Sequence, residues 1–393
     1  MASALHILID AAVAAIVLFH PGRTIATTTT SAPPALSQIR HVFIVVLENE
    51  DNDVTFGPQS QAPYLSKTLV AQGAYLQNYY GIGHFSLDNY VALISGQAPN
   101  QVTQLDCQQF VDFKSSGVAA QGQAIGQGCV YPASVRTIGD ELTERGLRWR
   151  SYNEDMGNDP ARENATCGHP ALGSSDATQH AEAPTLSVPQ GDQYATRHNP
   201  FMYFHSVIDS PSCADEVVPL TRLPYDLAAS GRTPNLVFIT PNLCSDGHDA
   251  TCVTGRPGGL AAADAFLAQW IPMILESTAY KRDGLLLILF DESEMEVNFD
   301  IVANKISIIR GDARACCDEQ SGPNVKAAGQ IGPGGGNTGA VALSPHIRPG
   351  TVSQTPYNHY STLRTIEAIF GLPYLGYAGA PGLAVMGNDI FSR

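Results

Sequence analysis

From Gln38 onward the apolar residues fall in short, dense runs separated by polar, glycine- and proline-containing stretches. His41-Val-Phe-Ile-Val-Val-Leu47 is continuous and β-branched, which is how a strand buried on both faces reads. Asn235-Leu-Val-Phe-Ile-Thr240 and Leu285-Leu-Leu-Ile-Leu-Phe290 repeat the pattern, and residues 341–344 give a shorter version. Residues 147–152 read as a further strand and 75–80 as extended chain. Helical patterns cover 63–73, the first turns from 89 to 94, 137–146 with a terminal glycine cap, and 259–275 with an interruption near Pro272. A last helix over 360–370 is stopped by Gly371 and Pro373. Buried strands alternating with helices predict an α/β fold, a three-layer sandwich around a mostly parallel central sheet. Residues 181–197 and 318–337 read as long surface insertions. No repeat or linker divides residues 38–393, which are expected to form a single domain.

Hydrophobic residues make up 44% of the 393 and charged ones 15%, so the chain is globular. The formal net charge of -15 argues against a nucleic-acid partner, which would need a basic face. A small phosphorylated substrate is still compatible, because a metal or histidine cluster can reverse the local field. An apolar run at 11–19, too short to span a membrane, precedes a Thr/Ser/Ala/Pro stretch at 27–37. Residues 1–37 therefore read as a signal peptide with a flexible segment, and the protein as secreted without stable membrane insertion. Eight widely spaced cysteines fit disulfides in an oxidising compartment. Local pairs Cys107 with Cys129 and Cys244 with Cys252 are expected; adjacent Cys316 and Cys317 form either a vicinal bridge or two separate ones.

In open α/β sheets ligands bind beyond the carboxyl ends of the strands. There the sequence places Glu48 and Asn49 after the first buried strand, Asn242, Asp246, His248 and Asp249 after the second, and Asp291 and Glu292 after the third. Hard oxygen donors from three strand ends suit a divalent cation, whose identity stays open. The segment Gly83-His-Phe-Ser-Leu-Asp-Asn-Tyr90 follows extended chain and precedes a helix. Ser86 thus falls near a helix N-terminus, a position suited to holding phosphate. No Gly-x-Ser-x-Gly elbow, Walker A loop or His-Glu-x-x-His motif is present.

Glu48-Asn49 resembles the opening motif of the phosphoesterase family of acid phosphatases and phospholipases C, within the alkaline phosphatase superfamily. His84-Phe-Ser-Leu-Asp-Asn-Tyr90 is similar to its nucleophile segment, with Asp88 where that family usually has proline. Phe290-Asp-Glu292 resembles its metal motif, and the run from Asn358 to Gly371 its C-terminal helix. Arg197-His-Asn-Pro-Phe201 and Asp246-Gly-His-Asp249 resemble segments whose histidines face the phosphoryl group. The resemblance implies an alkaline-phosphatase-like fold with Glu48, Asn49, Asp291, Glu292 and Ser86 on the metal. It also implies Ser86 as nucleophile, His198 and His248 as catalytic donors, and Asp246 and His359 as supports. The implied activity is a metal-dependent phosphoric-ester hydrolase, acid-phosphatase-like and working through a phosphoserine. The substrate would be a small phosphorylated molecule or a phospholipid headgroup. A phospholipase C or other phosphodiesterase is the nearest alternative, and a non-catalytic metal- or phosphate-binding protein of this fold the alternative of another class.

Overall fold

The computed structural model describes residues 36–300 and 305–391, so the export signal expected within 1–37 lies almost wholly outside the described residues. Eight strands form the central sheet: β1 His41–Leu47, β2 Ala74–Leu76, β3 Trp149–Asn153, β4 Val217–Pro219, β5 Leu236–Thr240, β6 Gly284–Phe290, β7 Ala340–Leu343 and β8 Thr351–Ser353. Their order is β8-β2-β7-β6-β1-β5-β3-β4. Only β7 runs against its neighbours, β2 and β6, and every other pairing is parallel.

The dense apolar runs occupy the middle of this sheet and are buried on both faces. Side chains alternate across a strand, so Val42, Ile44 and Val46 enter one core and Phe43, Val45 and Leu47 the other. Helices α1 Ser86–Ser95, α2 Ile138–Glu144 and α4 His359–Phe370 cover the first face, and α3 Gly259–Glu276 covers the second. This is the expected three-layer α/β sandwich.

Local chemistry sets the helix ends. Thr137 and Asp140 form a reciprocal capping box on α2, and Asn358 caps α4 by accepting from the Ser361 amide at 2.9 Å. Gly96, at φ 66°, ends α1, where a Cβ would meet the Leu375 carbonyl oxygen at 2.2 Å. Three expectations need correction. Helix α3 continues through Pro272, because Ile271 and Ile274, both fully buried, hold the two sides of the proline on the sheet. The helix expected from Asn89 begins three residues earlier, at Ser86. The two insertions are not wholly superficial. Asp192 and Thr196 are fully buried, and the carbonyls of Gly335 and Gly336 accept from the amides of Ser293 and Gly81. Their backbone polar groups find partners beneath the strand ends, which makes burial affordable.

All eight cysteines are paired: Cys107–Cys129, Cys167–Cys213, Cys244–Cys252 and the vicinal Cys316–Cys317. Among the described residues no helix is long and apolar enough to cross a membrane.

Candidate active site

The carboxyl ends of β5, β1 and β6 lie side by side because these strands are consecutive in the sheet. The Glu48 amide donates to the Asp246 carbonyl at 2.9 Å, and the Asp291 amide to the Leu47 carbonyl at 2.9 Å. The Asn49 and Glu292 amides both donate to Asp291 Oδ1, at 3.0 and 2.7 Å. Glu48, Asn49, Asp246, Asp291 and Glu292 are thus stitched together by their own backbone.

Ser86 opens α1 beside this cluster. Its hydroxyl donates to Glu48 Oε2 at 2.7 Å, while the Tyr90 hydroxyl donates to Glu48 Oε1 at 2.7 Å from one turn further along the helix. Phe85, immediately before the serine, has φ 80°, and Asn49 has φ 49°. Left-handed backbone at non-glycine residues costs about 1–3 kcal/mol and gathers at functional sites. The helix start does not offer all its amides to a ligand. The Phe85 amide is taken by Glu292 Oε1 at 3.2 Å and that of Leu87 by Asp106 Oδ1 at 3.0 Å.

A cleft of about 250 Å³ opens over Ser86; Asn49, His84, Arg197, His248 and Glu292 also line it. Of the expected histidines, only His248 stands in the cleft, its side chain 44% exposed and its amide held by Asp246 Oδ1 at 3.0 Å. His198 is buried behind Glu48. Its ring stacks on Tyr90 at 5.3 Å, and Nε2 approaches Glu48 Oε1 to 3.3 Å without completing a hydrogen bond. Burial, helped by Arg197 and His248, holds its pKa well below the usual imidazole value, so the ring is neutral. His359 is fully buried beneath Asp291 and touches only its backbone, with Nε2 2.5 Å from the carbonyl oxygen. Asp88 is buried and does not line the cleft, and neither carboxylate oxygen completes a hydrogen bond.

Two residues the sequence reading passed over belong to the site. His84 places Nδ1 2.5 Å from Glu292 Oε2 and Nε2 2.9 Å from the Asp312 carbonyl. Arg197 faces the cleft next to Asp106, at 3.7 Å, and donates to the Gln179 carbonyl at 3.1 Å. The signal for it was an arginine beside a chosen histidine in a strongly acidic chain.

Burial raises the pKa of Glu48, Asp291 and Glu292 well above the usual carboxylate range, and their mutual repulsion raises it further. Asn49 Oδ1 and Asp291 Oδ2 are buried without partners. Repelling carboxylates and orphaned hard oxygens are the donor set of a divalent cation, so these residues fit the expected metal in kind. The carboxylates do not bring three oxygens within 4.8 Å of one another. Among the described residues only Cys316, Cys317 and Glu319 converge so closely, and there both sulfurs are in a disulfide.

One cleft thus gathers a serine hydroxyl held on a carboxylate, hard oxygen donors and the Arg197 guanidinium. The chain belongs to the phosphoesterase family, whose model matches residues 58–373. A probable acid phosphatase from Kluyveromyces lactis is 25% identical over 337 residues, covering 86% of this chain and 59% of its own length. A phosphate-repressible acid phosphatase from Penicillium chrysogenum is 26% identical, with 84% and 58% covered. A phosphatidylinositol-3-phosphatase from Mycobacterium tuberculosis is 26% identical over 359 residues, covering 91% of this chain and 86% of its own. The chain spans just under three-fifths of the length of the two fungal relatives. Among solved structures, a phosphonate monoester hydrolase from Silicibacter pomeroyi superposes with a TM-score of 0.47 at 11% identity, over 90% of this chain and 77% of that one.

Proposed function

We propose that the chain is a secreted, metal-dependent phosphomonoesterase of the acid phosphatase type that attacks phosphorus with the Ser86 hydroxyl. The observation that carries this is the 2.7 Å hydrogen bond from Ser86 Oγ to Glu48 Oε2, at the strained start of a helix and at the floor of the cleft. Glu48, Asn49, Asp291, Glu292 and Ser86 would hold the metal. When bound, it would lower the pKa of the hydroxyl and offset phosphoryl charge.

Glu48 orients the Ser86 oxygen and accepts its proton as the oxygen–phosphorus bond forms. Arg197 faces the same cleft and supplies fork-shaped donors to the non-bridging oxygens. The leaving alkoxide takes a proton from His248, the imidazole open to the cleft. Water then attacks the phosphoserine and gives a proton back to His248; the Ser86 Oγ–phosphorus bond breaks, Glu48 returns its proton to the serine oxygen, and phosphate leaves. His198, neutral and stacked on Tyr90, fills the space behind Glu48, whose carboxylate is held by the Ser86 and Tyr90 hydroxyls. His359 and Asp246 serve through the backbones of Asp291 and His248.

A monoester dianion is favoured by the positive charge of Arg197 opposite Ser86. The aromatic segment Phe201-Met-Tyr-Phe204 is fully buried core and offers no lip for acyl chains. A phosphorylated lipid headgroup is the second reading. It is favoured by the nearly end-to-end match to the Mycobacterium tuberculosis relative and by Phe85, 40% exposed at the cleft. The four disulfides and the sequence of residues 1–37 support export.

The test compares the chain with Ser86→Ala on p-nitrophenyl phosphate, bis-p-nitrophenyl phosphate and a short-chain phosphoinositide, with and without chelator. Metal content is measured directly. The variant should stay folded and lose about three orders of magnitude or more of turnover, and chelation should abolish wild-type activity. An active Ser86→Ala protein would remove the serine mechanism. Metal binding without turnover on any ester would favour a non-catalytic binding protein.

A further inference from the structure

A second pocket, lined by Cys317 of the vicinal disulfide, shares no residue with the cleft over Ser86. It encloses about 200 Å³, below the roughly 300–1,000 Å³ of drug-sized ligand sites, so it suits a small guest. One wall is aromatic: the Tyr360 and Tyr377 rings meet edge to face, with centroids 5.6 Å apart and planes at 85°. Pro381 and Leu383 add apolar surface. The polar side holds Asp318 and Glu319, and no Lys, Arg or His among the described residues lines the pocket.

Tyr360 is fully buried, and its hydroxyl makes no hydrogen bond, unlike most buried polar groups. Both carboxylate oxygens of Glu319 are shielded from solvent, and the groups that face them, the Asn358 side chain and the backbone at Cys316 and Glu319, are all neutral. Burial pushes the Glu319 carboxyl up to about 7, as expected of an acid waiting for a counter-charge. Nothing in the phosphoryl chemistry uses these groups.

A shielded carboxylate with no positive partner lining the pocket selects a cation, and an aromatic wall selects one with a polarising, alkylated surface over a hydrated metal ion. We infer that the pocket bounded by Glu319, Tyr360, Tyr377 and Leu383 is a binding site for a small alkylammonium cation. Glu319 provides the counter-charge and the Tyr377 ring the cation–π wall, with the Tyr360 ring packed edge to face against it. This site goes beyond the hydrolase reading and does not depend on it.

The full chain is titrated calorimetrically with tetramethylammonium chloride, with potassium chloride as control. Saturable one-to-one binding of tetramethylammonium, absent with potassium, is expected. Glu319→Gln should weaken it at least about tenfold, the scale of a charge-assisted contact, and Tyr377→Leu should weaken it independently. Glu319→Gln removes a shielded acid with no positive partner lining the pocket, so its Tm should hold or rise, which separates lost binding from lost fold. Turnover of p-nitrophenyl phosphate should be unchanged in Glu319→Gln, so failure here leaves the Ser86 assignment standing. No saturable binding by the wild type, or equal binding by both variants, overturns the site.

Discussion

His359 offers a sharp separation of positioning from chemistry. It begins α4, is fully buried, and spends both ring nitrogens inside the protein. A carbonyl can only accept, so the 2.5 Å contact to the Asp291 oxygen places the proton on Nε2. Nδ1 then accepts from the Tyr79 hydroxyl at 3.0 Å, and that hydroxyl accepts from Thr362 at 2.7 Å. His359→Ala orphans one buried carbonyl, leaves Tyr79 with Thr362 alone and opens a void. Together these cost about 2–4 kcal/mol. At about 2.1 cal/mol/K of unfolding entropy per residue, a domain of this size loses roughly 1.3 °C per kcal/mol, so Tm should fall by about 3–5 °C. The freed peptide carries Asp291 with it, and metal affinity should drop about 10- to 100-fold, as for other groups that hold a ligand in place. In His359→Gln an amide N–H can still reach the carbonyl, so most of the Tm and metal affinity should return. Thermal melts, calorimetric metal titration and a pH–rate profile are run on the three proteins. If His359→Gln melts and binds metal like wild type yet turns over no substrate, the imidazole itself moves a proton and the positioning argument is wrong.

Arg197→Gln should raise KM for a phosphomonoester about 10- to 100-fold with a smaller change in kcat, and Arg197→Lys should restore part of it. Steady-state kinetics on mono- and diester substrates would show this, and an unchanged KM would remove the guanidinium from substrate binding. Asp88→Asn should raise stability by about 1 kcal/mol or more in denaturant titrations, because it replaces a buried acid that completes no hydrogen bond by a neutral isostere. A fall instead would reveal a counter-charge at Asp88. His205 is partly buried, which lowers its pKa, but its hydrogen bonds to Asp112 at 2.9 Å and Asp209 at 2.8 Å raise it more in sum. The raised folded-state pKa means this stabilisation is complete below the unfolded value of about 6.5 and is lost as pH rises through the folded value. Asp112→Asn should therefore lower the denaturation midpoint at about pH 5.5 and leave it unchanged at about pH 8.5; an equal loss at both would refute the linkage.

The sheet was legible because its central strands are buried on both faces, and such strands announce themselves as unbroken apolar runs. Glu48, Asp246 and Asp291 were legible for a topological reason: ligands gather past the carboxyl ends of neighbouring parallel strands. What the sequence hid was depth. His248 and His198 looked alike in one dimension, yet the first opens onto the cleft and the second is sealed behind Glu48 by the Tyr90 ring. Arg197 and His84 were hidden because each acts through a contact distant in sequence, to Asp106 and to Glu292. Pro272 misled because the packing of Ile271 and Ile274 outweighs one missing backbone bond.

The same depth means that the proposed cation would matter as much for stability as for chemistry. Glu48, Asp88, Asp246, Asp291 and Glu292 are all buried around Ser86, and burial pushes each carboxyl well above its ordinary pKa. Two unit charges about 8 Å apart repel by about 2 kcal/mol at an effective dielectric constant near 20, which disfavours ionising several such pairs together, even beside the Arg197 guanidinium. A divalent ion on Asn49, Asp291 and their neighbours would relieve that repulsion in the folded state alone. Its free energy of binding then adds to that of folding, about 2.7 kcal/mol at a free concentration one hundred times Kd, or roughly 3–4 °C in Tm. Chelation should lower Tm by that amount, readdition of the divalent ion should restore it, and Asp291→Asn should abolish the response while remaining folded. Calorimetric melts at fixed ionic strength distinguish this from general screening. If the melting temperature ignores both chelator and ion, the carboxylates are held as neutral acids and the metal assignment falls.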